Sequence, residues 1–354
     1  MQKAPTEREE NFRGISRVCH DEQYTRLESK LKRELGETVL DLLSHDQTED
    51  IVLNPDSTLW VKQMGQGFQQ VGVMPPAQAA SALNTIAAWK GTVMNHEHPI
   101  IETELPLDGS RFEGIISPIV RHPVFAIRLR PKKIFSLSEY EQAGILTFKD
   151  DPLNHLRKRD SFIDDIRGLS HAEIIRAAVA RKKNILTVGA TGSGKTTFVN
   201  AVLDVIAQVA PHDRVVSIED TTELQCSVRN HVDLLAVGSV SMLDCLRACM
   251  RLKPTRIVVG EVRGAEAHTM LKAWNTGHPG GAATVHANDA LSGLIRLESL
   301  VAEATSAPQQ TLIAEAVDLV VFVDQEPDLI AGRKVREVAL VTGYRDSRYQ
   351  IEYV

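Results

Sequence analysis

The sequence predicts an α/β protein: a mostly parallel sheet covered on both faces by helices, preceded by a smaller α+β region. Three observations carry this. Beyond about residue 140, buried-strand runs alternate with amphipathic helical stretches, the pattern of strand–helix–strand units. Before residue 130, short β-prone runs are punctuated by Asn-, Pro- and Gly-containing turns beside helical segments. Finally, 354 residues exceed what one hydrophobic core usually organises, which favours two domains.

Taken in order, residues 22–43 form one amphipathic helix or two, and DIVLNPDSTLWVKQMGQGFQQVG follows as a meander of short strands broken at Asn54-Pro55-Asp56 and Met64-Gly65-Gln66-Gly67. Pro76 opens a helix with Leu83, Ile86 and Ala87 on one face, ending at Gly91. ELPLDGSRFEGIISPI carries an Asp108-Gly109 turn between two strand-like runs. In FAIRLRPKK the alternation sets Phe125, Ile127 and Leu129 on one face and Arg128 with Arg130 on the other. Pro131-Lys132-Lys133 breaks that strand, and the domain boundary is expected between about 130 and 140. In the second half NILTVGA, RVVSIED and RIVVGE are strands, and FVNAVLDVIAQVA and SMLDCLRACMRL are helices.

Composition is that of a globular chain, 43% hydrophobic and 24% charged. A net charge of −6 argues against a protein that coats nucleic acid through its overall field, and leaves a local basic groove open. No apolar run approaches the ~20 residues of a membrane span. MQKAPTEREENFRG lacks the apolar segment of a signal peptide. A cytoplasmic chain is therefore expected, with any membrane association peripheral and made through partners. Cys19, Cys226, Cys245 and Cys249 form no CxxC pair and read as free thiols.

The chemistry concentrates in one motif. Gly189, Ala190, Thr191, Gly192, Ser193, Gly194, Lys195 and Thr196 fit GxxxxGK[ST] in full, with Thr197 next, between the strand NILTV and a helix. Such a loop turns backbone N–H groups around phosphate and adds the positive end of the helix. Lys195 would reach the β- and γ-phosphates and Thr196 would ligate Mg²⁺. Hydrolysis also needs carboxylates nearby, and Glu219 with Asp220 ends RVVSIED while Glu261 ends RIVVGE. Strand C-termini surround the ligand in an open α/β sheet, so both clusters should face the phosphates. Glu261 stands where a metal-organising aspartate is more usual, which makes it catalytic or, like Glu219, metal-linked through water. In NTGHPGGAATVHAN, the glycines read as a tight turn into a strand AATVHA that ends at His286, with His278 shaping the turn.

With these residues in hand, the chain resembles the secretion-ATPase superfamily that drives type II and type IV secretion and pilus dynamics. Within it the match is to the TrbB-like conjugal-transfer branch. GATGSGKTT, VVSIEDTTEL, RIVVGEVRG and TGHPGGAATVHAN carry the resemblance, which runs from about residue 25 to the C-terminus. It implies a RecA-like P-loop NTPase C-terminal domain over 141–354, a linker over 131–140, and an N-terminal domain over 1–130, with nucleotide at their junction. It further implies a homo-hexamer that hydrolyses ATP with Mg²⁺ and works with type IV secretion machinery at the inner membrane. Carried over by position, Glu219 belongs to the aspartate box, Glu261 is the Walker B glutamate, and His286 contacts or senses the γ-phosphate. Arg111, Arg128 and Arg130 occupy segments whose arginines complete such sites. The branch often reads RPDR before its Walker B strand, where this chain has Lys253-Pro254-Thr255-Arg256.

Two other readings compete. RecA-like cores also serve nucleic-acid translocases and helicases, but the acidic charge balance and the lack of an aromatic-interleaved basic stretch count against that. A nucleotide-switched scaffold with negligible turnover would not call for two strand-end carboxylates and His286.

Overall fold

The computed structural model describes residues 7–131, 136–146 and 162–354, with side chains from residue 22 onward. Residues 132–135 of the expected linker and the side chain of Cys19 lie outside the described set. The chain divides into two compact units, Met1–Arg130 and Pro131–Val354. The architecture is mixed α/β with two sheets.

In the first unit, α1 (Glu7–Ser44) is two helical segments joined at Gly36, whose φ of 78° no helix accommodates. Leu31, Leu35, Val39 and Leu43 recur every fourth residue and form its buried stripe. Strands β1 (Thr48–Leu53), β2 (Thr58–Gln63) and β3 (Phe68–Val73) make the expected meander, and α2 (Pro76–Trp89) starts at its proline. β4 (Ile100–Glu104), β5 (Arg111–Ile115) and β6 (Val124–Arg128) complete an antiparallel sheet of order β3-β2-β1-β6-β5-β4. Leu83 and Ile86 of α2 pack with Ile51, Leu53, Phe125 and Ile127 in one core.

Alternation persists at the end of β6, where Leu129 is buried between exposed Arg128 and Arg130. Ala126 is as buried as its neighbours, so the second face of the strand is covered until Arg128. Arg130 lies beyond the strand, and its guanidinium meets the Glu104 carboxylate at 2.5 Å. Arg130 is thereby paired with a carboxylate, whereas Arg128 lies opposite Arg111.

The second unit begins with α3 (Leu137–Gln142), α4 (Phe162–Asp165) and α5 (His171–Ala180). Then come β7 (Ile185–Gly189), α6 (Lys195–Val209), β8 (Val215–Glu219), β9 (His231–Leu235), α7 (Met242–Arg251) and β10 (Arg256–Val259). α8 (Glu266–Asn275), β11 (Ala282–His286), α9 (Ala290–Ala302) and α10 (Gln310–Ala316) follow, and β12 (Leu319–Gln325), β13 (Arg333–Arg345) and β14 (Arg348–Tyr353) close the chain. The sheet order is β14-β13-β12-β7-β11-β10-β8-β9. β12, β7, β11, β10, β8 and β9 are parallel, while β13 and β14 add antiparallel. β7 and β8 are buried at every position, as strands covered on both faces require. Val199, Val202, Leu203 and Ile206 of α6 pack on that sheet with Val215, Leu319 and Val321.

Strict strand–helix alternation fails twice. β9 follows β8 through residues 220–230 with no helix between, and the C-terminal strands form a meander. Both additions lie at the sheet's edges, where one exposed face dilutes the apolar signal with His231, Asp233 and the charged positions of β13.

Candidate nucleotide site

Four strands of the second unit deliver their C-terminal ends to one neighbourhood. In the parallel register His286 is level with Gly189, and Val259 is level with Ile218. The tips of β7, β11, β10 and β8 therefore carry Gly189, His286, Gly260-Glu261 and Glu219 side by side.

The phosphate-loop residues turn directly into α6, with Gly194 at the helix N-cap in the left-handed region at φ 98°. A side chain there would be strained, so glycine is what lets the loop close onto the helix. Ser193 is fully buried beneath the loop. The Lys195 ammonium donates to the carbonyls of Gly189 (3.1 Å) and Ala190 (2.9 Å) and faces His286 Nδ1 at 3.3 Å. Burial pushes its pKa down, and the charges of Glu261 and Glu223 oppose that shift.

Glu261 stands two residues past β10. Its Oε1 is 3.0 Å from His286 Nε2 and its Oε2 accepts from Arg263 at 2.9 Å. Burial acts to raise its pKa, but the Arg263 hydrogen bond and the charges of Arg263, His286 and Lys195 outweigh it and hold the carboxyl below the usual glutamate range. A lysine only donates and a carboxylate only accepts, so in its neutral form the imidazole satisfies both neighbours with its proton on Nε2.

Glu219 is differently employed. Its Oε1 accepts the backbone N–H groups of Glu223 (3.0 Å) and Leu224 (2.9 Å), fastening the loop that leads towards β9. Asn200 on α6 holds the same loop, accepting from Gln225 N and donating to Glu223 O. Burial raises the pKa of Glu219, and the two backbone hydrogen bonds work against that. A Cβ on Gly260 would stand 2.9 Å from Glu219 Cγ, so this carboxylate lies against the residue preceding Glu261.

Sequence reasoning passed over three residues. Arg263 joins Asp220 to Glu261, its Nη1 on the first carboxylate and its Nη2 on the second. The signal was present, since Arg263 is two residues from Glu261 in RIVVGEVRG, but only the fold brings Asp220 to it. Glu266 accepts the N–H groups of Arg263 (2.7 Å) and Gly264 (2.8 Å) and so orients that turn. Arg333 donates to Thr197 Oγ1 at 2.9 Å from 136 residues away, a pairing no local pattern announces.

The histidine block is split by β11. His278 hydrogen-bonds Pro254 O at 2.9 Å, at the end of the strand opposite to His286. There Asn184 Oδ1 accepts the N–H groups of Gly280 (2.7 Å) and Gly281 (2.9 Å). A Cβ on Gly281 would lie 2.2 Å from Trp274 Nε1 and 2.3 Å from Ile257 O, so no larger residue fits. On the first unit, Arg111 and Arg128 are direct cross-strand partners and both are exposed. Cys245 and Cys249 are buried free thiols and Cys226 is half-buried; burial pushes Cys226 and Cys245 up to about 12.

An open parallel sheet whose first strand runs through a glycine-rich turn into a helix, with acidic residues at the neighbouring strand tips, defines the phosphate-loop class. The family model for type II/IV secretion system proteins matches residues 165–328. Conjugal transfer protein TrbB of Rhizobium radiobacter is 41% identical over 330 residues, 93% of this chain and 95% of that protein. Type IV secretion system protein PtlH of Bordetella pertussis is 30% identical over 321 residues, 86% and 92% of the two chains. The crystal structure of the VirB11 ATPase from the Brucella suis type IV secretion system, in complex with sulphate, shares the fold at a TM-score of 0.81. It is 24% identical and covers 90% of this chain and 96% of that one. The chain belongs to the TrbB family of conjugal-transfer proteins, a branch of the type II/IV secretion system proteins.

Proposed function

We propose that this chain is a Mg²⁺-dependent ATPase that works as a hexameric ring and energises a conjugative type IV secretion system, in apparatus assembly or substrate transfer. It acts from the cytoplasmic side of the inner membrane, held there through partners. In this reading residues 141–354 are a RecA-like motor domain, 131–140 a linker and 1–130 the N-terminal domain. Among the described residues no helix is long and apolar enough to cross a membrane.

The observation that carries the reading is the run of contacts from Lys195 through His286 to Glu261. Lys195 exchanges the carbonyls of Gly189 and Ala190 for the β- and γ-phosphates of ATP. Loop N–H groups of residues 189–197 surround the phosphates, and Thr196 would offer its hydroxyl to Mg²⁺. Mg²⁺ takes most of its ligands from phosphate and water. That suits Glu261 and Glu219, whose oxygens already hold Arg263, His286 and backbone N–H groups, so that each would reach the ion through water. When bound, the ion would supply positive charge against the charge that develops on the phosphates. Glu261, kept ionised by its neighbours, accepts from the attacking water and orients it. His286 links the state of that carboxylate to Lys195, and so to the presence of the γ-phosphate.

Arg111 and Arg128 supply a complementary cation pair. Like charges directly opposite on neighbouring strands destabilise a sheet, and an anion relieves them. Arg130, already paired with Glu104, is the weaker member of the three. A nucleic-acid translocase is not favoured, since the net charge is −6 and the matched relatives are secretion proteins.

Phosphate release by the wild-type chain and by Lys195→Ala, with particle size by light scattering with and without ATP–Mg²⁺, tests the reading. Turnover that needs Lys195, and a ring-sized particle, support it. Equal background release by both chains, or a strict monomer throughout, would overturn it.

A further inference from the structure

A second cation reaches the phosphate loop from a part of the chain that none of the four sequence blocks includes. Arg333 opens β13, and its Nη1 donates to Thr197 Oγ1 at 2.9 Å while its Nε donates to Ala331 O at 3.3 Å. The side chain crosses the last loop glycine: a Cβ on Gly194 would stand 2.5 Å from Arg333 Nη1 and 2.7 Å from its Cδ. The neighbouring strand flanks the same loop, with Val323 O 2.2 Å from a Cβ built on Gly189 and Gln325 Nε2 3.5 Å from one on Gly192. The β12–β13 hairpin is therefore one wall of the phosphate loop.

The charge balance of that wall is unusual. Arg336, three residues along, is neutralised by Asp324 at 3.6 Å and Glu326 at 2.9 Å. Arg333 donates only to a hydroxyl and a carbonyl, and no ion pair engages it among the described residues. It stands beside the N-terminus of a 15-residue helix, whose own partial charge is positive. Two positive groups held together without a carboxylate make a site for an anion.

Position on the helix says which part of the anion. Lys195 and Thr196 serve the β- and γ-phosphates and the metal, while loop N–H groups cradle the α- and β-phosphates. Thr197 is the next residue, turned by roughly 100° about the helix axis. We propose that Arg333 binds the α-phosphate of a nucleoside di- or triphosphate seated in the loop. This rests on the reading of the loop as a nucleotide site. Arg333 is then a binding residue that holds ATP and ADP alike and does not take part in γ-phosphoryl transfer.

The test uses the full chain, with fluorescent mant-ATP and mant-ADP titrated against wild type, Arg333→Met and Arg333→Lys, and the melting temperature measured without nucleotide. Arg333→Met should weaken both nucleotides by the same factor, about tenfold, as expected for one lost charge-assisted hydrogen bond. Its nucleotide-free melting temperature should match wild type, and Arg333→Lys should recover part of the affinity. Unchanged affinity for both nucleotides would overturn the proposal. A loss confined to ATP would move the contact to the γ-phosphate and also overturn it. A loss matched by a lower nucleotide-free melting temperature would make Arg333 a fastening of the hairpin only. If the wild-type chain binds neither nucleotide, the loop reading itself fails and the proposal falls with it.

Discussion

Nε2 of His286 stands 3.0 Å from Oε1 of Glu261, joining the tips of β11 and β10, while the other ring nitrogen faces Lys195. The imidazole thereby lies between Lys195 and Glu261, the groups proposed to bind phosphate and to orient water. His286→Ala should cut ATP turnover about a hundredfold, the scale of losing one preorganised polar group. Affinity for ADP should stay near wild type. Steady-state phosphate release beside ADP titration checks this, and a parallel loss of ADP affinity would make His286 a binding residue instead.

Glu261 should remain ionised well into acid. Its pKa is lowered, so its contribution to stability is present above the ordinary glutamate range and lost as pH falls through the lowered value. Turnover between neutral and mildly acidic pH should therefore not titrate with this group. Glu261→Gln should retain ATP binding and lose turnover by about two orders of magnitude. An acid limb within that range in the wild-type pH–rate profile, absent from Glu261→Gln, would contradict the assignment.

Glu219 carries the opposite shift, and its stability consequence has the opposite sign. Burial raises its pKa, so the ionised form is a cost that sets in as pH rises through the raised value. Glu219→Gln keeps an oxygen for the N–H groups of Glu223 and Leu224 and removes the charge. Its melting temperature should equal or exceed wild type at pH 8, with the difference shrinking in acid as wild type protonates. Glu219→Ala leaves both N–H groups without their acceptor and should cost about 1–3 kcal/mol. Denaturant melts of both variants across pH decide it, and an Ala variant as stable as wild type would show that the loop does not depend on this carboxylate.

Gly281→Ala tests the far end of β11. The added methyl would wedge between Trp274 Nε1 and Ile257 O, which are hydrogen-bonded at 3.1 Å. Overpacking of this kind costs about 1–3 kcal/mol. Urea unfolding reads the loss directly, and an unchanged midpoint would mean that the Trp274 indole moves aside freely.

Much of this was legible beforehand because it was local. The phosphate loop lies within eight consecutive residues, β7 and β8 are mostly apolar and β-branched runs, and the Asp108-Gly109 turn announces its hairpin. What escaped depends on partners distant in sequence. Glu219 sits at a strand tip as a phosphate-facing carboxylate should, yet its hydrogen bonds go to a loop that sequence reading left blank. Arg130 satisfies the alternation at the end of β6, but its ion pair with Glu104, 26 residues earlier, has no local signal. Arg333 opens β13, whose charged pattern gives no strand signal and no hint that it reaches Thr197.

The Asn184 clamp on Gly280 and Gly281 has a further consequence. β11 is only five residues long and alternates its side chains, so a slip of one position would exchange His286 for Val285 beside Glu261. The amide of Asn184 is thus a ruler: it measures out the strand from its quiet end and decides which side chain arrives at the other.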